Sequence, residues 1–261
     1  MADLLTYIAA SGMDASMKDI SNNAHNLANI NSGAFKTINT ETKDTFYIMA
    51  SQAGSAATEG EKPVSNYSGT GVKVTGTYRT LTQGARKQTG NSLDFYINGS
   101  GYVAVTLPNK STAYYRATSL KVNSEGKFTT SEGYLLADDI APITSDVDTQ
   151  TIKISQQGQV YYSNTSGNDV TLGQITLYTF PNEQGLKALS GSYFQETDAS
   201  GAPTQGKPGD AGYGTLDQEA LELSNVEIAT VFADFMAAQR AYELSARMLR
   251  SSEEMFKELN K

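Results

Sequence analysis

Carboxylates close together in the chain are the first residues to weigh for chemistry, because two of them in one site can act as general acid and base. Three such pairs occur: Asp138 with Asp139, Asp146 with Asp148, and Glu253 with Glu254. Neighbours on a strand point to opposite faces, which separates Asp138 from Asp139. Asp146 and Asp148 can share a face, but the Thr, Ser and Val around them read as a surface loop, and Glu253 with Glu254 reads as the solvated side of a helix. His25 is the one histidine; it has no cysteine to activate, and no G-x-S-x-G elbow exists for it to serve. Zero cysteines and one histidine exclude disulfides, thiolate metal sites and an imidazole cage. The run Asn98-Gly99-Ser100-Gly101 would cradle a phosphate if it opened a helix, but it leads into Tyr102-Val103-Ala104-Val105 and reads as a hairpin turn. The expectation is no catalytic residue, no cofactor and no metal.

The elements that would have to position any site are of two kinds. The end of the chain steps in threes and fours through Ile228, Val231, Phe235, Ala238, Tyr242, Ser245, Leu249, Ser252, Phe256 and Leu259, the seven-residue spacing of a coiled-coil seam. A second row, Ala241, Leu244, Met248, Ser251 and Met255, runs beside it, so the apolar stripe is wider than one partner helix needs. No Gly or Pro interrupts Leu221 to Lys261, which predicts a helix over 221–261. The start of the chain repeats the pattern with Ala10, Met13, Met17, Ile20, Ala24 and Leu27, extended upstream by Leu5, Ile8 and Ala9, and predicts a helical segment over 1–36. Small seam residues, Ala24, Ala238, Ser245 and Ser252, suit dense packing of several helices.

Between the ends the texture turns to Gly, Ser, Thr, Asn and Tyr with short alternating apolar runs, which reads as antiparallel β-structure. Nine strands are predicted: Val72–Tyr78, Leu93–Ile97, Tyr102–Leu107, Ser119–Val122, Lys127–Thr130, Tyr134–Ala137, Thr151–Ile154, Gln159–Tyr162 and Gln174–Phe180. Two stretches, Ser51–Thr70 and Thr197–Gly214, read as flexible connections. The expected class is α+β: long terminal helices pairing as a coiled-coil-like domain around a central, mainly antiparallel β domain. Its parts are a helical segment 1–36, an extended linker 37–76, a β domain 77–200, a Gly/Pro-rich return linker 201–220 and a closing helix 221–261.

The formal charge of −8, with Lys and Arg scattered, argues against nucleic-acid binding, since no basic stripe is there to neutralise phosphates. The longest early apolar run, Leu4 to Ala10, falls well short of the roughly 20 residues that cross a bilayer. No transmembrane segment is expected, and the first basic residue, Lys18, lies too far downstream for a secretory signal.

Two signatures add a resemblance. Asn26-Leu27-Ala28-Asn29 followed by Phe35-Lys36 resembles the N-terminal N-N-L-A-N and G-F-K pattern of the bacterial flagellar rod, hook and hook-associated axial proteins. Ser224-Asn225-Val226 with Gln239-Arg240-Ala241-Tyr242-Glu243 resembles that family's closing signature. The middle, including Thr82-Gln83-Gly84, Gln88 to Asp94 and Ile97 to Tyr102, is most similar to distal-rod members, with proximal-rod members of similar length the rival. Three positions depart: His25 stands where the family usually has Asn, Gly33-Ala34 reverses the usual glycine before Phe35, and Ser245-Ala246-Arg247 replaces Asn-Ser-Lys. The resemblance implies export through the flagellar type III apparatus without a cleaved signal, and polymerisation into a hollow rod crossing the periplasm, its inner wall built from both terminal helices and its β domain outside. It implies as partners copies of the chain itself, other rod and hook proteins, and the outer bushing rings. The implied subunit interface is Leu5, Ile8, Met13, Met17, Ile20, Leu27, Val231, Phe235, Ala238, Tyr242, Leu249 and Phe256.

Overall fold

The computed structural model describes residues 2–51, 56–57, 60–61, 66–144, 147–164 and 168–259. Two helices, α1 (Ala2–Ala28) and α2 (Ile228–Leu259), bracket an antiparallel β region, and the class is α+β. The chain divides into two units, one of residues 1–28, 38–80 and 227–261, the other of 29–37 and 81–226.

In the first unit α1 packs against α2, and small residues set the approach. A side chain in place of Gly12 would meet the Ser245 hydroxyl at 3.1 Å. Ala9, Ala15, Ser16, Ala238 and Ser252 are buried. The Ser16 and Ser252 hydroxyls donate at 2.8 Å to the Gly12 and Leu249 carbonyls one turn back, which satisfies them without a partner helix. A long hairpin of strands Ile38–Asp44 and Val72–Arg79 lies against α1, with a bulge at Glu41 and Thr42. Asn22 fixes it by donating to the Thr40 hydroxyl at 2.9 Å. Beyond it Tyr47–Ser51 pairs with Asn66–Gly69. Of the stretch 51–70, expected to be flexible, half lies outside the described residues, and in the described half Ala56–Ala57 pairs with Gly60–Glu61 and Asn66–Gly69 with Tyr47–Ser51.

The second unit is built on a seven-stranded antiparallel sheet in the order 120–122, 128–130, 135–136, 103–106, 112–115, 193–195, 187–188. A three-stranded sheet (152–154, 159–163, 169–174) and three two-stranded pairs complete it. The main core gathers Phe95, Ile97, Val103, Leu120, Ile152, Val160, Ile175, Leu177 and Leu216, and a second, aromatic cluster holds Tyr102, Tyr114, Phe180 and Phe194.

Eight of the nine predicted strands coincide with observed ones, most of them a residue or two shorter; the ninth, Gln174–Phe180, is divided, since Gln174 ends the strand Asp169–Gln174 and Leu177–Thr179 belongs to another sheet. Four expectations are corrected. The N-terminal helix, expected over 1–36, ends at Ala28, after which the Ser32 N–H donates to the Asn29 carbonyl at 3.1 Å and closes a turn. The C-terminal helix begins at Ile228 and not at 221, because Ala220–Glu222 pairs with Arg86–Gln88 and Glu222 is held inside the β unit by buried partners. The stretch 197–214 is hydrogen-bonded into the β unit instead of bridging freely: Thr204–Gly206 pairs with Leu177–Thr179, and Ser200 is fully buried. The return linker placed at 201–220 likewise carries strand Thr215–Gln218, which pairs with Phe95–Asn98 and puts Leu216 in the core.

Candidate functional site

Among the described residues, none of those weighed for chemistry is assembled into a reactive group. Asp138 is partly buried and accepts from the Thr176 hydroxyl and backbone N–H, whereas Asp139 is exposed. Asp148 accepts from the Gln150 N–H at 3.0 Å and caps a short turn, and Asp146 lies outside the described residues. Glu253 and Glu254 are exposed on α2, and His25 is exposed in the last turn of α1. Among the described residues no His, Asp and Glu cluster could hold a metal, and no helix is long and apolar enough to cross a membrane.

Two other arrangements stand out. The first is the helical unit's apolar surface. Of the proposed seam, Val231 and Ala238 are buried; Ile8, Met13, Ile20, Leu27, Phe235, Tyr242, Leu249 and Phe256 are half-buried; Leu5 and Met17 are exposed. The second row stays uncovered by the chain itself: Leu244 is 60%, Met248 54% and Met255 57% exposed, continued toward the helix start by Phe232 and Met236. Phe46, Tyr47, Ile48, Met49 and Tyr67 are exposed on the outer hairpin. Contiguous exposed apolar rows of this kind are uncommon on a folded unit that has no partner.

The second arrangement explains most of the motif residues, and it is internal. Asn26 is fully buried; its amide donates to the Ile38 carbonyl at 2.8 Å, and its oxygen accepts from the Ile38 N–H at 2.9 Å. This pair ties the end of α1 to the start of the hairpin. Asn29 accepts from the Ser32 hydroxyl, and Ser224 accepts from the Val226 N–H, each closing a local turn. Asn225 accepts from the Thr37 N–H and hydroxyl, both at 2.8 Å, and donates to the Thr82 carbonyl. Phe35 and Val226 are buried, and Leu27 is half-buried. Ala28, Gln239, Arg240, Ala241 and Glu243 are exposed.

At the centre of the second unit Glu222, 1% exposed, receives Lys36 Nζ at 2.6 Å and Arg116 Nε at 2.7 Å, together with the Gly84 N–H at 2.8 Å. One carboxylate thus faces two cations, and the excess positive charge is met by carbonyl oxygens. Gly99 at 2.5 Å and Gly101 at 2.8 Å accept from Arg116, and Thr82 at 2.9 Å accepts from Lys36. Arg116 also lies over the Tyr102 ring at 5.9 Å. Burial pulls the Lys36 pKa below its usual value against the opposing effect of Glu222. Glycine is required at 84, because a Cβ there would stand 1.9 Å from the Leu223 carbonyl oxygen.

Sequence reasoning singled out Lys36 and Asn225 only as motif letters, and missed Glu222 and Arg116 as a pair. A trace was present: Glu222 sits between Leu221 and Leu223, and Arg116 between Tyr115 and Ala117, charges embedded in apolar strand context.

Known proteins are similar to this chain in sequence. Residues 96–162 match the model of the flagellar hook protein FlgE/F/G D1 domain, and residues 217–261 match that of the flagellar basal body rod FlgEFG protein C-terminal region. With helices at both ends of the sequence and β-structure between them, these matches define an axial protein of the bacterial flagellum. The chain is 37% identical over 251 residues to the flagellar basal-body rod protein FlgG of Borreliella burgdorferi, covering 95% of this chain and 94% of that one. It is 37% identical to the FlgG of Agrobacterium fabrum, covering 95% of each, and 31% identical to that of Bacillus subtilis, covering 97% and 96%. The chain belongs to the flagellar basal-body rod protein FlgG family, a family of structural subunits and not of enzymes. A hook protein, FlgE of Caulobacter vibrioides, matches over 110 residues at 33% identity, 18% of its length.

Proposed function

We propose that this chain is a structural subunit of the distal rod of the flagellar basal body, polymerising with copies of itself into a helical tube that carries motor torque to the hook and lets export substrates pass. The observation that carries this reading is the second apolar row of α2, which α1 leaves uncovered. Burying a large apolar side chain contributes roughly 1.5–3 kcal/mol, so a row of five or more offers a strong drive to association, and a heterologous contact repeated along it gives an open helical assembly. The α1 and α2 seams pair in coiled-coil fashion within the wall, and the hairpin 38–79 with its exposed aromatics contacts neighbouring copies. Other rod and hook proteins continue the tube at its ends, the bushing rings surround it where it crosses the periplasm, and the chain reaches that place by flagellar export without a cleaved signal.

Electron microscopy of the purified protein at rising concentration tests this. Tubes or rods are expected, with hydrogen exchange in α2 slowed on polymerisation. A protein that stays monomeric at all concentrations, or whose α2 is equally protected before and after assembly, overturns the reading.

A further inference from the structure

The chain contains one Asn-Gly step, Asn98-Gly99. Such a step is chemically labile: the Gly99 nitrogen gives up its proton and bonds to Asn98 Cγ, the Cγ–Nδ2 bond breaks, and ammonia leaves. Water then opens the cyclic imide at either carbonyl to give aspartate or isoaspartate, for a net exchange of ammonia for water. The reaction needs a free Gly99 amide that can turn toward the Asn98 side chain.

The structure withholds that amide. Asn98 and Gly99 are both solvent-exposed, but the Gly99 N–H donates to Gln83 Oε1 at 3.2 Å, and Gln83 Nε2 donates back to the Ile97 carbonyl at 2.5 Å, so one side chain brackets the step from both sides. Asn98 is further fixed by pairing with Thr215, and Gly99 by its φ of 115°. The same turn supplies the Gly99 and Gly101 carbonyls that hold Arg116. An isoaspartate at 98 adds a backbone atom just before Gly99 and would pull that carbonyl from the guanidinium.

We propose that Asn98-Gly99 is a latent deamidation and isomerisation site, kept closed by Gln83, whose modification undoes the Arg116 anchorage. This inference is independent of the rod reading. The test is to age the purified full-length chain in mildly alkaline buffer, with and without urea, and to follow residue 98 by peptide mass mapping. Wild type should deamidate much faster in urea than folded. Folded Gln83→Ala should deamidate roughly fivefold faster than folded wild type, the factor that loss of one net hydrogen bond of about 1 kcal/mol gives the open turn, and the modified fraction should melt below the unmodified one. A Gln83→Ala rate equal to wild type in a folded variant overturns the proposal. Should that variant not fold, equal wild-type rates with and without urea overturn it.

Discussion

Lys36 and Glu222, 186 residues apart in sequence, meet as a buried ion pair 2.6 Å long, and Arg116 approaches the other carboxylate oxygen of Glu222 at 2.7 Å. The pair joins a segment just after α1 to a strand just before α2, so both ends of the β unit's chain close on one carboxylate. Removing one member of a buried pair strands the other, which costs about 3–5 kcal/mol, far more than loss of a surface pair. Glu222→Gln leaves two cations facing a neutral amide, whereas Lys36→Met leaves the Arg116–Glu222 pair intact. Denaturant unfolding should therefore show both variants destabilised and Glu222→Gln the more so. The reverse order would show that Lys36, and not Arg116, is the main partner of the carboxylate.

Ala34, just before Phe35, has a φ of +51°, in the left-handed region that favours glycine. It is also buried, with its N–H donating to the Glu222 carbonyl at 2.9 Å. A left-handed alanine costs about 1–2 kcal/mol, but glycine would forfeit a buried methyl of about 0.8 kcal/mol and gain about 0.4–1 kcal/mol of unfolded-chain freedom. These terms nearly cancel. Thermal melts should place Ala34→Gly within about 1 kcal/mol of wild type, while Ala34→Val, branched in a left-handed and enclosed position, should lose at least about 2 kcal/mol.

The elements most legible in the sequence are those whose pattern is local. The seven-residue steps predicted both helices, and alternation with turn glycines predicted nine strands, because burial on one face imposes a period that any reader can count. What stayed hidden depended on partners far along the chain. Leu221-Glu222-Leu223 is good helix composition, and only the pairing with Arg86–Gln88 and the charges of Lys36 and Arg116 make it a strand. Met17 belongs to the predicted α1 row yet is exposed, while Ala15, Ser16 and Asn26, which that row passes over, lie on the covered side with Ala9. Small residues allow close approach without adding hydrophobicity, so a count of large apolar residues misplaces that face. Asn26 was legible as a motif residue but not as the clamp on Ile38.

The two rows of α2 should separate on mutation. Val231 is 5% exposed, and Val231→Asp puts a charge into the packed side, costing several kcal/mol and loosening the helical unit itself. Leu244 is 60% exposed, so Leu244→Asp should leave the monomer's melting within about 0.5 kcal/mol of wild type while abolishing assembly seen by sedimentation. Assembly unimpaired in Leu244→Asp would remove the second row from the contact surface.

Asp138 gives the β unit a pH dependence of defined sign. Burial raises its pKa from 3.8 to about 6, although the Thr176 hydroxyl and N–H oppose the shift by bonding the charged form. Below the ordinary value both folded and unfolded chains hold the proton and no penalty exists. Between 3.8 and about 6 the unfolded chain ionises first, so this residue's contribution declines as pH rises, and the full penalty applies above about 6. At 1.36 kcal/mol per pKa unit that penalty is on the order of 2–3 kcal/mol. Asp138→Asn keeps an oxygen for the Thr176 hydroxyl and gives up one longer bond, so it should be more stable than wild type near neutral pH by about 1–2 kcal/mol and nearly equal to it in acid. Urea unfolding midpoints of both proteins across that range test the sign: if the difference widened in acid and closed at neutral pH, the Asp138 carboxylate would be stabilised by its surroundings, the opposite of what its burial requires.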